Sequence, residues 1–197
     1  MSLKILGGVA RGFGLVVPPN NLTRPTSVLL KRRFFDSYQK LDGIYFIDLC
    51  AGSGSIGIEA SSRGANPVLC VERSERVFKF LNKNITNFSL KFPNHQIEAI
   101  KEDFGSWFKK FNLFYNELEN EEKKRVYIFF DPPYDKIELY ESFFNKIKEC
   151  NFIGLAIVEA CRQKTIPEED FYSSFGKASR SFKQGTSFLH LYDYNRE

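Results

Sequence analysis

The chain has 197 residues, 43 % hydrophobic, 26 % charged and 16 % aromatic, a globular composition that excludes a disordered or fibrous protein. That length suits one α/β domain with some additions and is short for two separately cored domains. The net charge of +4 is unevenly spread: residues 1–42 carry seven basic residues against two acidic ones, and the remainder 21 against 22. Positive charge confined to the first fifth of a chain implies an anionic partner docking there, nucleic acid above all, with a solvated basic helix face as the bland alternative. No apolar run approaches the roughly 18 residues of a membrane span, and no leader pattern opens the chain, so it reads as cytoplasmic with no membrane partner. Cys50, Cys70, Cys150 and Cys161 make no CxxC pair, and neither His95 nor His190 is near one of them. They read as buried small hydrophobes, with no metal expected.

In chain order, residues 3–17 alternate apolar runs with glycines and predict a short β-hairpin, turning at Gly7-Gly8 or Gly12. From Ser27 a helix follows, with Leu30, Phe34 and Tyr38 on one face and the cluster Lys31-Arg32-Arg33 on the other. Strand–helix alternation starts after Gly43. Ile44–Leu49 is a strand, Ala51–Gly54 a glycine-rich turn, and the helix after it closes at Gly64. Pro67–Val71 is a second strand, and Ser74 caps a long helix carrying Val77, Phe80, Leu81, Ile85 and Phe88 at helical spacing, with the polar Asn84 on the same face. Gln96–Lys101 is a third strand, with a helix over 105–114 and an exposed charged connection over 116–125. Val126–Phe130 is apolar throughout, as a parallel strand buried on both faces requires. A helix over 139–150, a strand at Leu155–Glu159 and a hairpin turning at Gln184-Gly185 complete the chain. Alternating βα units give an α/β fold with a doubly wound parallel sheet, to which the last hairpin adds an antiparallel strand. The expected division is 1–42, a hairpin and basic helix that bind RNA, and 43–197, the sheet domain.

Three motifs carry chemistry. In Asp48–Gly57, DLCAGSGSIG, a GxGxxG sits between a strand and a helix, where glycines let backbone approach a ligand. Nicotinamide enzymes use the same fingerprint. Here, however, Asp48 ends the strand and Gly52 follows four residues later. A carboxylate facing the ligand suits a cationic sulfonium amino acid better than a pyrophosphate. Glu72, directly after the second strand, is placed to accept both hydroxyls of a ribose. Asp103-Phe104, after the third strand, is placed to bind and cover an adenine, although the adjacent Glu102 could serve. Asp131-Pro132-Pro133-Tyr134 follows the VYIFF strand. Two prolines fix the backbone so that the Asp131 side chain and the Pro132 carbonyl project together, a pair of acceptors for the two hydrogens of an exocyclic amine, with Tyr134 stacking on the attached base.

The pair DLCAGSGSIGIEASSRGA and IFFDPPY resembles amino-methyltransferases that use S-adenosylmethionine. The leader KILGGVARG…TRPTS and the closing KQGTSFLHLYDY are similar to the RsmD family of 16S rRNA guanine-N2 methyltransferases, over the whole chain. The resemblance implies a Rossmann-like class I methyltransferase with a mostly parallel seven-stranded sheet, an antiparallel C-terminal strand and a small N-terminal hairpin. It implies S-adenosylmethionine bound by Asp48, Ala51, Gly52, Ser53, Gly54, Glu72, Arg73, Asp103 and Phe104, and a target base at Asp131, Pro132, Pro133 and Tyr134. It implies 16S rRNA or a small-subunit assembly intermediate as partner of an expected monomer, and the charge excess in residues 1–42 assigns the RNA contacts to Arg11, Arg24, Lys31, Arg32 and Arg33. The chain departs from the family pattern after Thr26, where Val28 and Leu29 replace a charged pair, Arg32 an acid, and Cys50 an aromatic. A DNA adenine-N6 methyltransferase and an inert RNA-binding assembly factor are the alternatives.

Overall fold

A computed structural model describes residues 3–19, 28–161 and 168–196. Its centre is a seven-stranded sheet in the order β5-β4-β3-β6-β7-β9-β8. β3 (Tyr45–Leu49), β4 (Val68–Val71), β5 (Ile97–Ile100), β6 (Val126–Phe130) and β7 (Leu155–Cys161) run parallel. β9 (Ser187–Asp193) lies antiparallel between β7 and β8 (Arg180–Gln184), the expected closing hairpin, turning at Gly185. The fold is Rossmann-like. Its chain reversal falls at β3, whose neighbours β4 and β6 are reached by crossovers in opposite directions, so a crevice opens beyond the carboxyl ends of these strands.

Successive residues of each strand face opposite sides, and both sides are covered. Phe46 and Phe129 face α1 (Val28–Ser37), α2 (Ser55–Ser62) and α3 (Glu75–Lys91). Ile47, Ile128 and Phe130 face α4 (Phe104–Glu117), α6 (Ile137–Glu149) and α7 (Glu168–Phe175). This second layer absorbs much of the phenylalanine excess: Phe130 and Phe143 stack with centroids 4.4 Å apart, and Phe144 and Phe175 at 4.8 Å. α7 was not expected, and within the charged connection a four-residue helix, α5 (Asn120–Lys123), forms, opened by a Glu119/Glu122 capping box. The Ser74 cap is present, its hydroxyl accepting from the Val77 amide.

The N-terminal segment pairs β1 (Leu3–Lys4) with β2 (Gly14–Leu15), and its residues between them wrap over α2. The Leu6 and Gly7 amides donate to Glu59, at 2.7 and 2.8 Å, and the Val9 amide donates to the Ser62 carbonyl. Ile5, Leu15, Leu30 and Phe34 join the same buried cluster as Phe46, Ile58 and Phe129.

Candidate active site

Leu49, Val71 and Phe130 are level across β4, β3 and β6. The three turns after them therefore leave the sheet side by side, and the turn after β5 is next in line. Together they line a cavity of about 480 Å³, with Leu6, Val17 and Pro18 of the N-terminal segment as a further wall. Of the expected cofactor residues, Ala51, Gly52, Ser53, Glu72, Arg73, Asp103 and Phe104 line it, as do all four residues Asp131–Tyr134.

The turn after β3 is built on left-handed backbone at Cys50, Gly52 and Gly54, with φ of 63°, 57° and 78°. The Gly52 amide donates to one oxygen of Glu72 at 3.1 Å and the Ser74 amide to the other at 2.7 Å. Burial raises the Glu72 pKa, and these amides oppose the rise. A glycine turn that spends its amide on a protein carboxylate is not a phosphate cradle, and Asp103 and Asp131 on the same walls would repel one. Each Glu72 oxygen keeps a second lone pair for a ligand hydroxyl. The donor set fits a neutral or cationic nucleoside, as in S-adenosylmethionine.

Two expected contacts are corrected. Asp48 does not face the cavity. Its carboxylate turns under α2 and accepts from the Gly57 amide at 2.9 Å, fully buried, and burial pushes its pKa up to about 7. The reason is local: α2 begins without a side-chain cap on Gly54, and Asp48 takes an amide of its first turn instead. Gly54 also faces away from the cavity. A Cβ there would lie 2.6 Å from Leu81 on α3, so the glycine permits helix packing and a left-handed turn.

Asp103 is exposed and caps α4, accepting from the Ser106 amide at 3.0 Å, which with that residue's hydroxyl holds its pKa low. Phe104 packs on Phe130 with its ring tilted by 57° and the centroids 5.2 Å apart. At the end of β6, Pro132 is buried and Tyr134 half-buried, its hydroxyl donating to Glu159 at 2.7 Å. Burial raises the Tyr134 pKa, and the neighbouring carboxylates Asp131 and Glu159 raise it further, so the hydroxyl stays protonated. Glu159, fully buried on β7, went unnoticed in the sequence, although an acid inside LAIVEAC was the available signal. Asn84 was read as a polar position on an apolar face. It bridges α3 to the Val16 backbone in both directions and to the Ser53 carbonyl, at 2.8–2.9 Å.

Of the expected RNA contacts, Arg11, Arg32 and Arg33 are exposed, and Arg33 donates to the Lys183 carbonyl. Arg24 lies outside the described residues. Lys31 is a correction. It does not share the solvent face with its neighbours but is 3 % exposed, donating to the Ser55 carbonyl at 2.6 Å and pairing with Glu59 at 3.4 Å. Lys31 lies four residues before buried Phe35, hence on the same helical face, and a buried acid receives it.

Among the described residues no helix is long and apolar enough to cross a membrane, and no cluster of three His, Cys, Asp or Glu has a metal-holding arrangement. Cys70, Cys150 and Cys161 are buried, while Cys50 is half-buried at the cavity.

The family model described as Conserved hypothetical protein 95 matches residues 3–193. The chain belongs to that family, the RsmD family. A family relative in Haemophilus influenzae, named Ribosomal RNA small subunit methyltransferase D, is 29 % identical over 83 % of this chain and 81 % of its own. A protein of the same name in Buchnera aphidicola subsp. Baizongia pistaciae is 27 % identical over 75 % of this chain and 69 % of its own. Among solved structures, yhhF of Escherichia coli superposes with a TM-score of 0.69 at 22 % identity, covering 97 % of each chain. This likeness carries the fold.

Proposed function

We propose that this RsmD-family enzyme transfers a methyl group from S-adenosylmethionine to the exocyclic N2 amine of a guanine in 16S rRNA. The observation that carries the reading is the position of Asp131–Tyr134 on the wall of the same cavity that Glu72 and the glycine turn line. When bound, S-adenosylmethionine supplies an electrophilic methyl group on a sulfonium. Glu72 would accept its ribose hydroxyls, and Asp103 with Phe104 would hold its adenine.

The amine lone pair of a base is delocalised into the ring and is a poor nucleophile. Asp131 and the Pro132 carbonyl accept its two hydrogens, which localises the lone pair as the nitrogen pyramidalises. Asp131 also opposes the positive charge growing on nitrogen, an electrostatic effect worth about 10²–10³ in rate where one such group is removed. Tyr134, its hydroxyl tied to Glu159, offers the base a fixed ring face. Residues 1–42, with Arg11, Arg32 and Arg33 exposed, serve as the RNA-docking extension although they share the core of the sheet.

Mass-spectrometric mapping of rRNA nucleosides in cells with and without the gene tests the proposal. One guanine of 16S rRNA should lose its N2-methyl group without the gene and regain it when purified protein and S-adenosylmethionine are added. Unaltered rRNA beside a lost N6-methyladenine in DNA would overturn it.

A further inference from the structure

Two guanidinium groups join α1 to the far edge of the sheet. β8 is an outermost strand, and α1 packs along it. Arg33 donates to the Lys183 carbonyl and Arg180 to the Ser37 hydroxyl, the latter at 3.3 Å, across 150 and 143 residues of sequence. The Arg180 guanidinium also lies over the Phe182 ring, 4.6 Å from its centroid. Carbonyl, hydroxyl and ring fix both groups without cancelling their charge. Among the described residues neither guanidinium pairs with a carboxylate, and both arginines are exposed. A guanidinium has five N–H donors, so one hydrogen bond to a neutral oxygen leaves the others for an anion. Exposed Arg32 adds a third cation, against one acid on α1, Asp36, and none in β8.

The strand register places this joint beside the turn that carries Tyr134. Glu159, which holds the Tyr134 hydroxyl, is level with Leu189 on β9, and Leu189 with Phe182 on β8. Residues level across neighbouring strands share a face, so the three form one row on the side that α1 covers. Two strand spacings, about 10 Å, separate its ends. Glu72 and Asp103 follow β4 and β5, on the opposite flank of β3. Resting on the reading of Asp131–Tyr134 as the target-base site, we propose that the joint between α1 and β8 is a docking surface for RNA backbone, where Arg33 and Arg180 grip phosphates beside the target nucleotide. Cofactor and RNA then divide the sheet edge between them, and the C-terminal hairpin shares in holding the substrate. Guanidinium groups already held in place lose little side-chain freedom on meeting a phosphate, and their planar fork matches its oxygens.

The test is the salt dependence of filter binding between the whole protein and a 16S rRNA transcript. Arg180→Gln should weaken binding at low salt and flatten the plot of log Kd against log salt by up to roughly 0.7 units, the share of one phosphate contact on single-stranded RNA. Arg33→Gln with Arg180→Gln should flatten it about twice as far. Arg180→Lys keeps the charge and should keep the slope, and calorimetric affinity for S-adenosylhomocysteine should stay within a few-fold of wild type in every variant. A wild-type slope in Arg180→Gln overturns the proposal, and self-association of that variant in light scattering would then make the arginine a guard of the exposed edge strand. Equal loss of slope in Arg180→Lys and Arg180→Gln overturns it too, by tracing the effect to packing on Phe182. These results leave the methyl-transfer reading standing, whereas wild-type protein that binds the transcript at no salt concentration overturns the rRNA reading along with the proposal.

Discussion

Replacing Asn84 by Ala removes three hydrogen bonds at one stroke: acceptance from the Val16 amide at 2.9 Å, and donation to the Val16 and Ser53 carbonyls at 2.8 Å each. Asn84 is 1 % exposed, so water cannot simply take the place of its amide. Val16 is 39 % exposed, and its two backbone groups can turn to solvent once the side chain is gone. At a net value of about 0.5–1.5 kcal/mol per hydrogen bond, the variant should lose roughly 2–4 kcal/mol. With a urea slope of about 2 kcal/mol/M, that lowers the unfolding midpoint by about 1–2 M and leaves the slope unchanged. Asn84→Asp separates the hydrogen bonds from shape: it keeps one acceptor, loses both donors and sets a buried carboxylate against two carbonyls. It should be at least as unstable as Asn84→Ala. Midpoints for both variants within experimental error of wild type would show that Asn84 does not tie the N-terminal segment to the cofactor turn.

Asp131→Ala should slow methyl transfer by about 10²–10³ while S-adenosylhomocysteine affinity, read by calorimetry, changes only a few-fold; normal turnover would remove the role given to Asp131. Gly54→Val should cost about 1–3 kcal/mol from left-handed backbone alone, beyond its collision with Leu81. Thermal melting of Gly54→Val with and without Leu81→Ala separates the two, because the second change relieves only the collision. Asp48, with a carboxyl raised from an ordinary 3.8 to about 7, binds its proton more tightly folded than unfolded. Its stabilising contribution is therefore complete below about pH 4 and is lost as pH rises toward 7, by roughly 2–4 kcal/mol. Urea midpoints across that window should fall less steeply in Asp48→Asn. Neutralising Arg32 and Arg33 together should flatten the salt dependence of RNA binding by up to roughly 0.7 log units per lost phosphate contact, and an unchanged slope would leave them as a solvated face.

Sequence patterning located the sheet because each strand and helix there declares itself locally. VYIFF is apolar on both faces and flanked by charge and proline, and it forms β6 at the expected residues. The motifs after β3, β4, β5 and β6 were placeable since a parallel sheet delivers the ends of adjacent strands to one edge. What escaped was set by partners distant in the chain. Lys31 belongs to a run of three cations, and nothing nearby says that one of them meets an acid 28 residues on. Glu59 looks like an ordinary helical carboxylate until the amides of Leu6 and Gly7 close over it. Asp48 was legible as a carboxylate near the end of β3, but the direction of its side chain depends on the cap that α2 lacks.

The segment before β2 also sets a timetable for synthesis. Leu6 and Gly7 emerge from the ribosome well before their partners: the carboxylate they need is over 50 residues downstream, and the amide side chain that meets Val16 is 68 residues away. Until α2 and α3 have been made, the apolar side chains of this segment have no surface to cover. At about 5–20 residues per second, that interval lasts several seconds, in which this nascent segment is open to chaperones and proteases. A slow codon stretch before Asn84 would lengthen that exposure without altering a single residue of the finished enzyme.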